Sequence, residues 1–340
     1  MRRLLFVTSA TSGGGAEKAI NLVAEELASS GWAVVLAPLS GNMEELRDKK
    51  FEICDTKTSI NSRLLRIFVN MVKLNSLVRK WKPDAIVLNC EIPELVGAFL
   101  ASKAKIIVLQ HTSIPWKNHR ILGWVVRILL SLRKATWCGV SDHFRIWPFG
   151  KTAFAVLPNL LEIGPMINPS PVSKSLKRLL FVGRLSEEKN PQVAVEVAAK
   201  LNVEIQIVGI GSLQTYLKEY TNTLGVRVNF HGYLDNPWEV YRPGDLLIVP
   251  SKFEGDGLVI LEALKHGIPM IISNISDFRR FGFPEINYGE SIENYSEKII
   301  QSRDRLEDFQ ISEELVAKIL GPRELSNVVT EWESLFEKLS

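Results

Sequence analysis

The chain has 340 residues, 46% of them hydrophobic and 23% charged; this is enough for two globular domains and excludes a collagenous, low-complexity or disordered chain. The three cysteines, Cys54, Cys90 and Cys138, are far apart and form no CxxC pair, which argues against a disulfide scaffold or a zinc site and for a reducing cytoplasm. Formal net charge is only +3, but residues 1–150 hold 21 Lys or Arg against 12 Asp or Glu, a net of +9, and the remainder carries −6; the two halves therefore face different partners, or one faces a charged surface.

Behind the basic start Met1-Arg2-Arg3, the apolar run spans only Leu4 to Val7. That is shorter than the roughly seven residues of a secretory signal, and it reads as a first strand. Residues 3–8, 32–37, 85–89, 105–110, 136–140 and 153–157 are brief, apolar and often β-branched, as strands buried on both faces are. Helical patterns lie between them, most clearly at residues 16–29 and 60–81. Strand–helix–strand alternation predicts a parallel sheet covered on both sides. Residues 121–132 are the longest apolar stretch, short of the ~18 residues of a membrane span and interrupted by Arg127.

The pattern breaks at residues 162–175, where Pro165, Pro169, Pro171 and Gly164 give the composition of a linker. It restarts with strands at 178–182, 203–208, 246–250 and 268–273, and a last helical pattern covers 324–339. The expected fold class is α/β, with two doubly wound Rossmann-like domains facing a cleft. The expected division is an N-terminal domain over 1–160, a linker over 161–176, a second domain over 177–322 and a C-terminal helix over 323–340. Ligands of such sheets sit at the carboxyl ends of the strands.

Thr8 to Gly15 joins the first strand to its helix and contains Gly13, Gly14 and Gly15. Glycines allow close approach to the backbone, and helix-start amides favour an anion; a flexible strand-to-helix turn fits equally well. It is not a dinucleotide fingerprint, because the third glycine would fall on Lys18 and the second strand ends in Leu36-Ala37-Pro38 without an acid. Gly209-Ile210-Gly211 fails the same test, and neither a Walker loop nor HExxH is present.

In the second half, Gly183-Arg184-Leu185 runs to Lys189-Asn190-Pro191 behind a strand, with Asn190 expected to cap a helix that Pro191 opens. Arg184 and Lys189 can hold a diphosphate, one as a fork and the other as a point charge; a solvated pair of loop cations is the plain alternative. Then comes Pro250-Ser251-Lys252-Phe253-Glu254-Gly255-Asp256-Gly257-Leu258, with Glu262 further along the predicted helix. Carboxylates accept hydrogen bonds from sugar and ribose hydroxyls, and the free amides near Gly257 and Leu258 suit phosphate. Such a pocket matches a nucleotide sugar.

Glu254-x7-Glu262, with its glycine-rich surround, resembles the signature of the family 4 retaining glycosyltransferases, which have the GT-B fold. The Gly183-to-Lys189 loop resembles that family's diphosphate loop. Gly13 to Lys18 resembles its N-terminal glycine element, and Val156-Leu157-Pro158-Asn159 its Pro-Asn-Gly segment, with Leu160 in place of glycine. The resemblance spans essentially the whole chain. It implies that Arg184 and Lys189 neutralise the leaving diphosphate, Glu262 binds ribose, Glu254 touches the transferred sugar, and Gly14 and Gly15 approach phosphate or acceptor. It implies that His111 lies near the sugar, although a satisfied strand-end histidine fits as well. The implied C-terminal helix crosses back to the first domain. Asp256, where an apolar residue is common, is expected to repel phosphate or alter sugar choice, and Ile210 replaces a frequent acid.

The implied reaction transfers a sugar from a UDP- or GDP-linked donor to a saccharide or lipid-linked acceptor, in cell-surface polysaccharide or lipopolysaccharide synthesis. No DxD occurs in the chain, so no metal and no other cofactor is expected. A nucleotide-sugar epimerase and a non-catalytic sugar-nucleotide-binding subunit are the rival readings, and no nucleic-acid module is present. Residues 95–141 contain no acid but hold Lys103, Lys105, Lys117, Arg120, Arg127, Arg133 and Lys134, and residues 57–83 are also acid-free. Basic, apolar helices of this kind lie in membrane interfaces, but they also pack on sheets with their cations in water. An anionic membrane partner, with the protein cytoplasmic and peripheral on the inner face, is the corresponding expectation.

Overall fold

The computed structural model describes residues 2–11, 14–46, 49–54, 62–142, 145–161 and 174–339, the side chains of residues 43, 45, 63 and 64 excepted. The chain forms two compact units, Met1–Glu162 with Gly321–Ser340, and Ile163–Leu320. Most of the linker expected over 161–176 lies outside the described residues.

The first unit runs β1 (Arg3–Thr8), α1 (Gly15–Ser29), β2 (Ala33–Pro38), β3 (Glu52–Ile53), α2 (Arg63–Trp81), β4 (Ala85–Asn89), α3 (Glu91–Gly97), β5 (Lys105–Gln110), α4 (Arg120–Leu132), β6 (Thr136–Gly139), β7 (Arg145–Ile146), β8 (Lys151–Thr152) and β9 (Ala155–Val156). Its seven-stranded sheet has the order β3-β2-β1-β4-β5-β6-β9, with parallel pairings throughout. The short pair β7 and β8 is a separate antiparallel hairpin. Side chains alternate across this sheet as the two-residue strand period requires. Leu4, Phe6 and Val87 pack with α1 on one face. Leu5, Val7, Ile86 and Leu88 pack with α2, α3 and α4 on the other.

The second unit runs β10 (Arg178–Val182), α5 (Pro191–Leu201), β11 (Glu204–Val208), α6 (Gln214–Leu224), β12 (Val228–Gly232), β13 (Asp245–Val249), α7 (Leu258–Lys265), β14 (Met270–Ser273), α8 (Ser276–Arg279), β15 (Tyr288–Gly289), α9 (Ile292–Gln301) and α10 (Glu313–Leu320). The strand order β12-β11-β10-β13-β14-β15 reverses direction between β10 and β13. The final helix α11 (Leu325–Leu339) returns to the first unit. There Trp332 meets Phe6 edge-on at 5.5 Å and Phe336 meets Trp32 at 4.8 Å. Both doubly wound sheets and the returning helix agree with the fold expected from the sequence. The strands missing from that reading, β3, β7, β8, β12 and β15, are edge strands or two-residue strands, and β12 alternates half-buried and exposed residues. Leu160, where the family pattern has glycine, is buried among the core residues beneath α1 and α11.

Two arginines counted as membrane-facing cations are structural instead. Arg127 is fully buried. Its guanidinium donates to Glu94 Oε1 at 2.6 Å, to Glu94 Oε2 at 2.8 Å and to Gln110 Oε1 at 2.8 Å, and it lies against Trp137 and Trp147. Trp116 Nε1 donates to the same Glu94 carboxylate at 2.8 Å. Gly123 lets α4 ride directly over Trp116, since a Cβ there would lie 2.2 Å from Trp116 Cγ. Arg133 donates to the Gly97 and Ala98 carbonyls, tying α4 to the end of α3; burial lowers its pKa. A periodic apolar helix hides such an arginine from sequence reading, because its partner Glu94 is 33 residues away. Arg127→Ala strands a buried carboxylate and is expected to cost about 3–5 kcal/mol. Replacing both partners with apolar residues, as in Arg127→Met with Glu94→Leu, is expected to cost clearly less, and denaturant unfolding of each variant checks this.

Candidate functional site

In the second unit the loops behind β10 and β13 leave adjacent strands in opposite directions, which opens a crevice at their carboxyl ends. The loop behind β10 is fixed by backbone pairing to the loop behind β11. Gly183 N donates to Val208 O at 3.0 Å, Leu185 N to Ile210 O at 3.0 Å, and Leu213 N to Leu185 O at 2.9 Å. Gly209 has a φ of +138° and passes so close that a Cβ would lie 2.0 Å from the Gly183 carbonyl oxygen. Arg184 therefore projects from a braced turn; its side chain is 53% exposed and lies 3.7 Å from Glu188.

Lys189 and Glu254 come together across the β10 and β13 loops as an ion pair. Ser251 Oγ donates to Glu254 Oε1 at 3.0 Å, Glu254 N donates to Asp277 Oδ2 at 2.9 Å, and Lys252 N donates to Glu188 O at 2.8 Å. Ser273 Oγ donates to Ser251 O at 2.6 Å. Glu254 is thereby held from three sides and is largely buried. Its cation partner Lys189 remains about one-quarter exposed. Gly257, with a φ of +67°, ends this loop, and α7 begins at Leu258 with its first amides unfilled by any side-chain cap. Glu262 follows on α7, and its Oε2 accepts from Trp238 Nε1 at 3.2 Å.

Two expectations change. Asn190 does not cap α5 with its side chain; it takes a left-handed backbone, φ 52°, and turns the chain into Pro191. Asp256 is buried with Arg280, whose Nη2 lies 2.8 Å from its carboxylate and also donates to the Asp256 carbonyl. That charge is matched within the fold, so repulsion of phosphate by a bare Asp256 is not the arrangement found. Ser251, Asp277, Trp238 and Arg280 hold the expected site residues in place; the sequence assigns no role to Ser251 and does not single out the other three. Trp238 and Asp277 lie more than twenty residues from the glutamates that they hold, and nothing in a linear pattern links them.

The first unit carries the other expected residues. Gly14 precedes α1 in extended backbone, φ −150° and ψ 160°, which any residue adopts, and Gly15 is the first helical residue. Gly13 lies outside the described residues. His111, just past the end of β5, meets the side-chain amide oxygen Oδ1 of Asn89 at the end of neighbouring β4. Glu91, directly after β4, accepts from Trp116 N. Burial raises the Glu91 carboxyl pKa, and the Trp116 hydrogen bond acts against that rise. Cys138 is buried within β6, and its thiol is pushed up to about 12. That leaves it without thiolate character.

Two doubly wound units of this kind recur in glycosyltransferases of GT-B fold. HepE of Anabaena, solved in complex with UDP and glucose, superposes with a TM-score of 0.81 over 99% of this chain and all of that chain, at 17% identity. Residues 13–144 match Glycosyltransferase Family 4, and residues 166–298 match Glycosyl transferases group 1. The UDP-Gal:α-D-GlcNAc-diphosphoundecaprenol α-1,3-galactosyltransferase of Escherichia coli is 35% identical over 249 residues, covering 64% of each chain. The lipopolysaccharide 1,6-galactosyltransferase of Salmonella typhimurium is 23% identical over 295 residues, covering 80% of each. This chain belongs to the family 4 glycosyltransferases of GT-B fold.

The braced turn gives a direct test. Gly209→Ala drives a methyl group into the Gly183 carbonyl at a backbone angle that disfavours side chains, and it is expected to destabilise the second unit by about 1–3 kcal/mol. Gly225→Ala, also left-handed but with nothing within 4 Å, is expected to cost about 1 kcal/mol. Chemical denaturation of the two variants compares them.

Proposed function

We propose that this protein transfers a sugar, with retention of anomeric configuration, from a nucleoside diphosphate sugar to a saccharide or lipid-linked acceptor in cell-surface polysaccharide or lipopolysaccharide synthesis. The observation that carries the reading is the Lys189–Glu254 pair, set between a braced arginine turn and the start of α7. In this reading Arg184, Lys189 and the Gly257–Leu258 amides bind the diphosphate, Glu262 binds the ribose, and Glu254 with Gly183 faces the donor sugar. UDP is the favoured nucleotide, because HepE was solved with UDP and the E. coli relative is named for UDP-Gal. Gly14, Gly15 and His111 serve the acceptor and the donor sugar from the first unit. A lipid-linked acceptor is supported by the diphosphoundecaprenol in that relative's name. It implies work at the cytoplasmic face of a membrane, in keeping with the few, widely spaced cysteines of the sequence.

Chemically, the anomeric carbon–oxygen bond to the diphosphate breaks as the acceptor oxygen bonds to the same face of that carbon. The acceptor proton passes to the departing phosphate oxygen. Negative charge grows on that phosphate, and fixed cations and amides stabilise it more in the transition state than in the ground state. No chain carboxylate is assigned as a nucleophile. The missing DxD motif supports a reaction that proceeds without a divalent metal.

Turnover of a panel of labelled nucleotide sugars against lipid extract tests this reading. Transfer is expected from one donor, undiminished by EDTA. Arg184→Ala with Lys189→Ala is expected to reduce kcat at least about 100-fold with unchanged circular dichroism. Wild-type turnover in that double variant, or loss on chelation restored by magnesium, would contradict it.

A further inference from the structure

A cavity of about 390 Å³ opens in the second unit at the carboxyl ends of β13, β14 and β15, within the roughly 300–1,000 Å³ of small-molecule sites. Its walls come from the start of α5, from the turns behind the three strands, and from Tyr295 of α9. None of the residues assigned above to the diphosphate or the ribose lines it. It shares a wall with that site at Ser251, whose Oγ donates to Glu254 Oε1 and whose carbonyl accepts from Ser273 Oγ.

The inner wall of the cavity is fitted to one side chain. Tyr295 is 2% exposed, and its ring lies so close over Gly289 that a Cβ there would stand 2.3 Å from Tyr295 Cδ1. The buried Tyr295 hydroxyl has no hydrogen-bond partner among the described residues. Ser273 Oγ stands nearby but outside hydrogen-bonding geometry, and its own proton goes to Ser251 O. Burial raises the phenol pKa, so the group stays a neutral donor. A buried polar group without a partner is costly, and phenylalanine would fill the same space without that cost. The cavity is the one place beside this hydroxyl where a missing acceptor can stand.

The other groups at the cavity suit a ring that carries hydroxyls. Asn190, whose side chain does not cap α5, offers an amide. Asn274 is fixed across the rim, accepting from Arg279 Nε and donating to Glu290 Oε1. Lys252 and Glu290 bring one charge of each sign, so a phosphate or an ammonium would meet attraction and repulsion together. Val193, Pro250 and Ile275 supply apolar surface. A sugar presents C–H surface to the apolar groups, and its hydroxyls both donate to the carboxylate and accept from the amides and the phenol. We propose that this cavity is a second ligand site, which takes a neutral, hexose-sized saccharide with one sugar hydroxyl accepting from Tyr295. This site goes beyond the transfer reaction proposed above and does not depend on it. A ligand held there packs against Ser251 and thereby steadies the loop that carries Glu254.

The test is hydrogen exchange of the full chain with saturating UDP, with and without millimolar glucose, galactose, N-acetylglucosamine or N-acetylgalactosamine. At least one sugar is expected to slow exchange in residues 273–275 and 289–295. Tyr295→Phe is expected to weaken that sugar about tenfold, as loss of one hydrogen bond does. The melting temperature of the free variant is expected to hold or rise, and the upward shift given by UDP to remain. A lower melting temperature for Tyr295→Phe would show the hydroxyl already satisfied within the fold, and would overturn the inference. So would sugar protection confined to the turns around Glu254 and Gly257, wild-type sugar binding by Tyr295→Phe, tighter binding of inorganic phosphate than of every sugar, or no protection by any of these sugars. The UDP shift is read in the same samples, so failure of the cavity site is distinct from failure of the donor assignment.

Discussion

Lys189 and Glu254 are 65 residues apart, on loops behind neighbouring strands, and their ion pair makes one site out of two turns. The pair depends on the sheet order that sets β10 beside β13. It depends also on the Gly183–Gly209 approach, which leaves no room for the first turn to shift. A carboxylate this buried is costly unless paired and hydrogen-bonded, and Ser251 and Lys189 supply both. An anion arriving at the crevice would compete with Glu254 for the same lysine. In the proposed reading, that competition would be a physical route by which donor binding frees the carboxylate for a sugar hydroxyl.

Much of the frame was legible because its signals are local. Short β-branched runs and intervening helical periods specified both sheets. The same alternation put Arg184, Lys189, Glu254 and Glu262 at strand ends and on α7. What was not legible depends on distance in sequence. Arg127 looked like a solvent-facing cation on an apolar helix, and only the fold brings Glu94, Gln110 and Trp116 around it. Asp256 looked like an obstacle to phosphate until Arg280 was found beside it. Asn190 had the composition of a side-chain cap, but it serves through its backbone angle. The differences at Arg127 and Asp256 share one cause: a polar side chain in a dense fold is answered by a partner that no local pattern contains.

The charge asymmetry of the sequence takes a spatial form that counting could not supply. In the first unit, acids lie on α1 and α11 at one face of the sheet, and α2 and α4 at the other face carry none. Removing Arg127 and Arg133 from the set of surface cations leaves fewer charges than the sequence suggested. The exposed apolar residues between the remaining ones then become the larger feature of that face.

Hydrogen exchange measured by mass spectrometry, with and without UDP, addresses the donor site most directly. Amides in a loop that grips a ligand exchange more slowly. Slowed exchange is predicted in the turns around Arg184, Gly209 and Glu254 and in the first turn of α7, with the outward faces of α2 and α4 unchanged. Protection confined to the first unit, or none in the turns that carry Lys189 and Glu254, would contradict the assignment of the donor to the second unit.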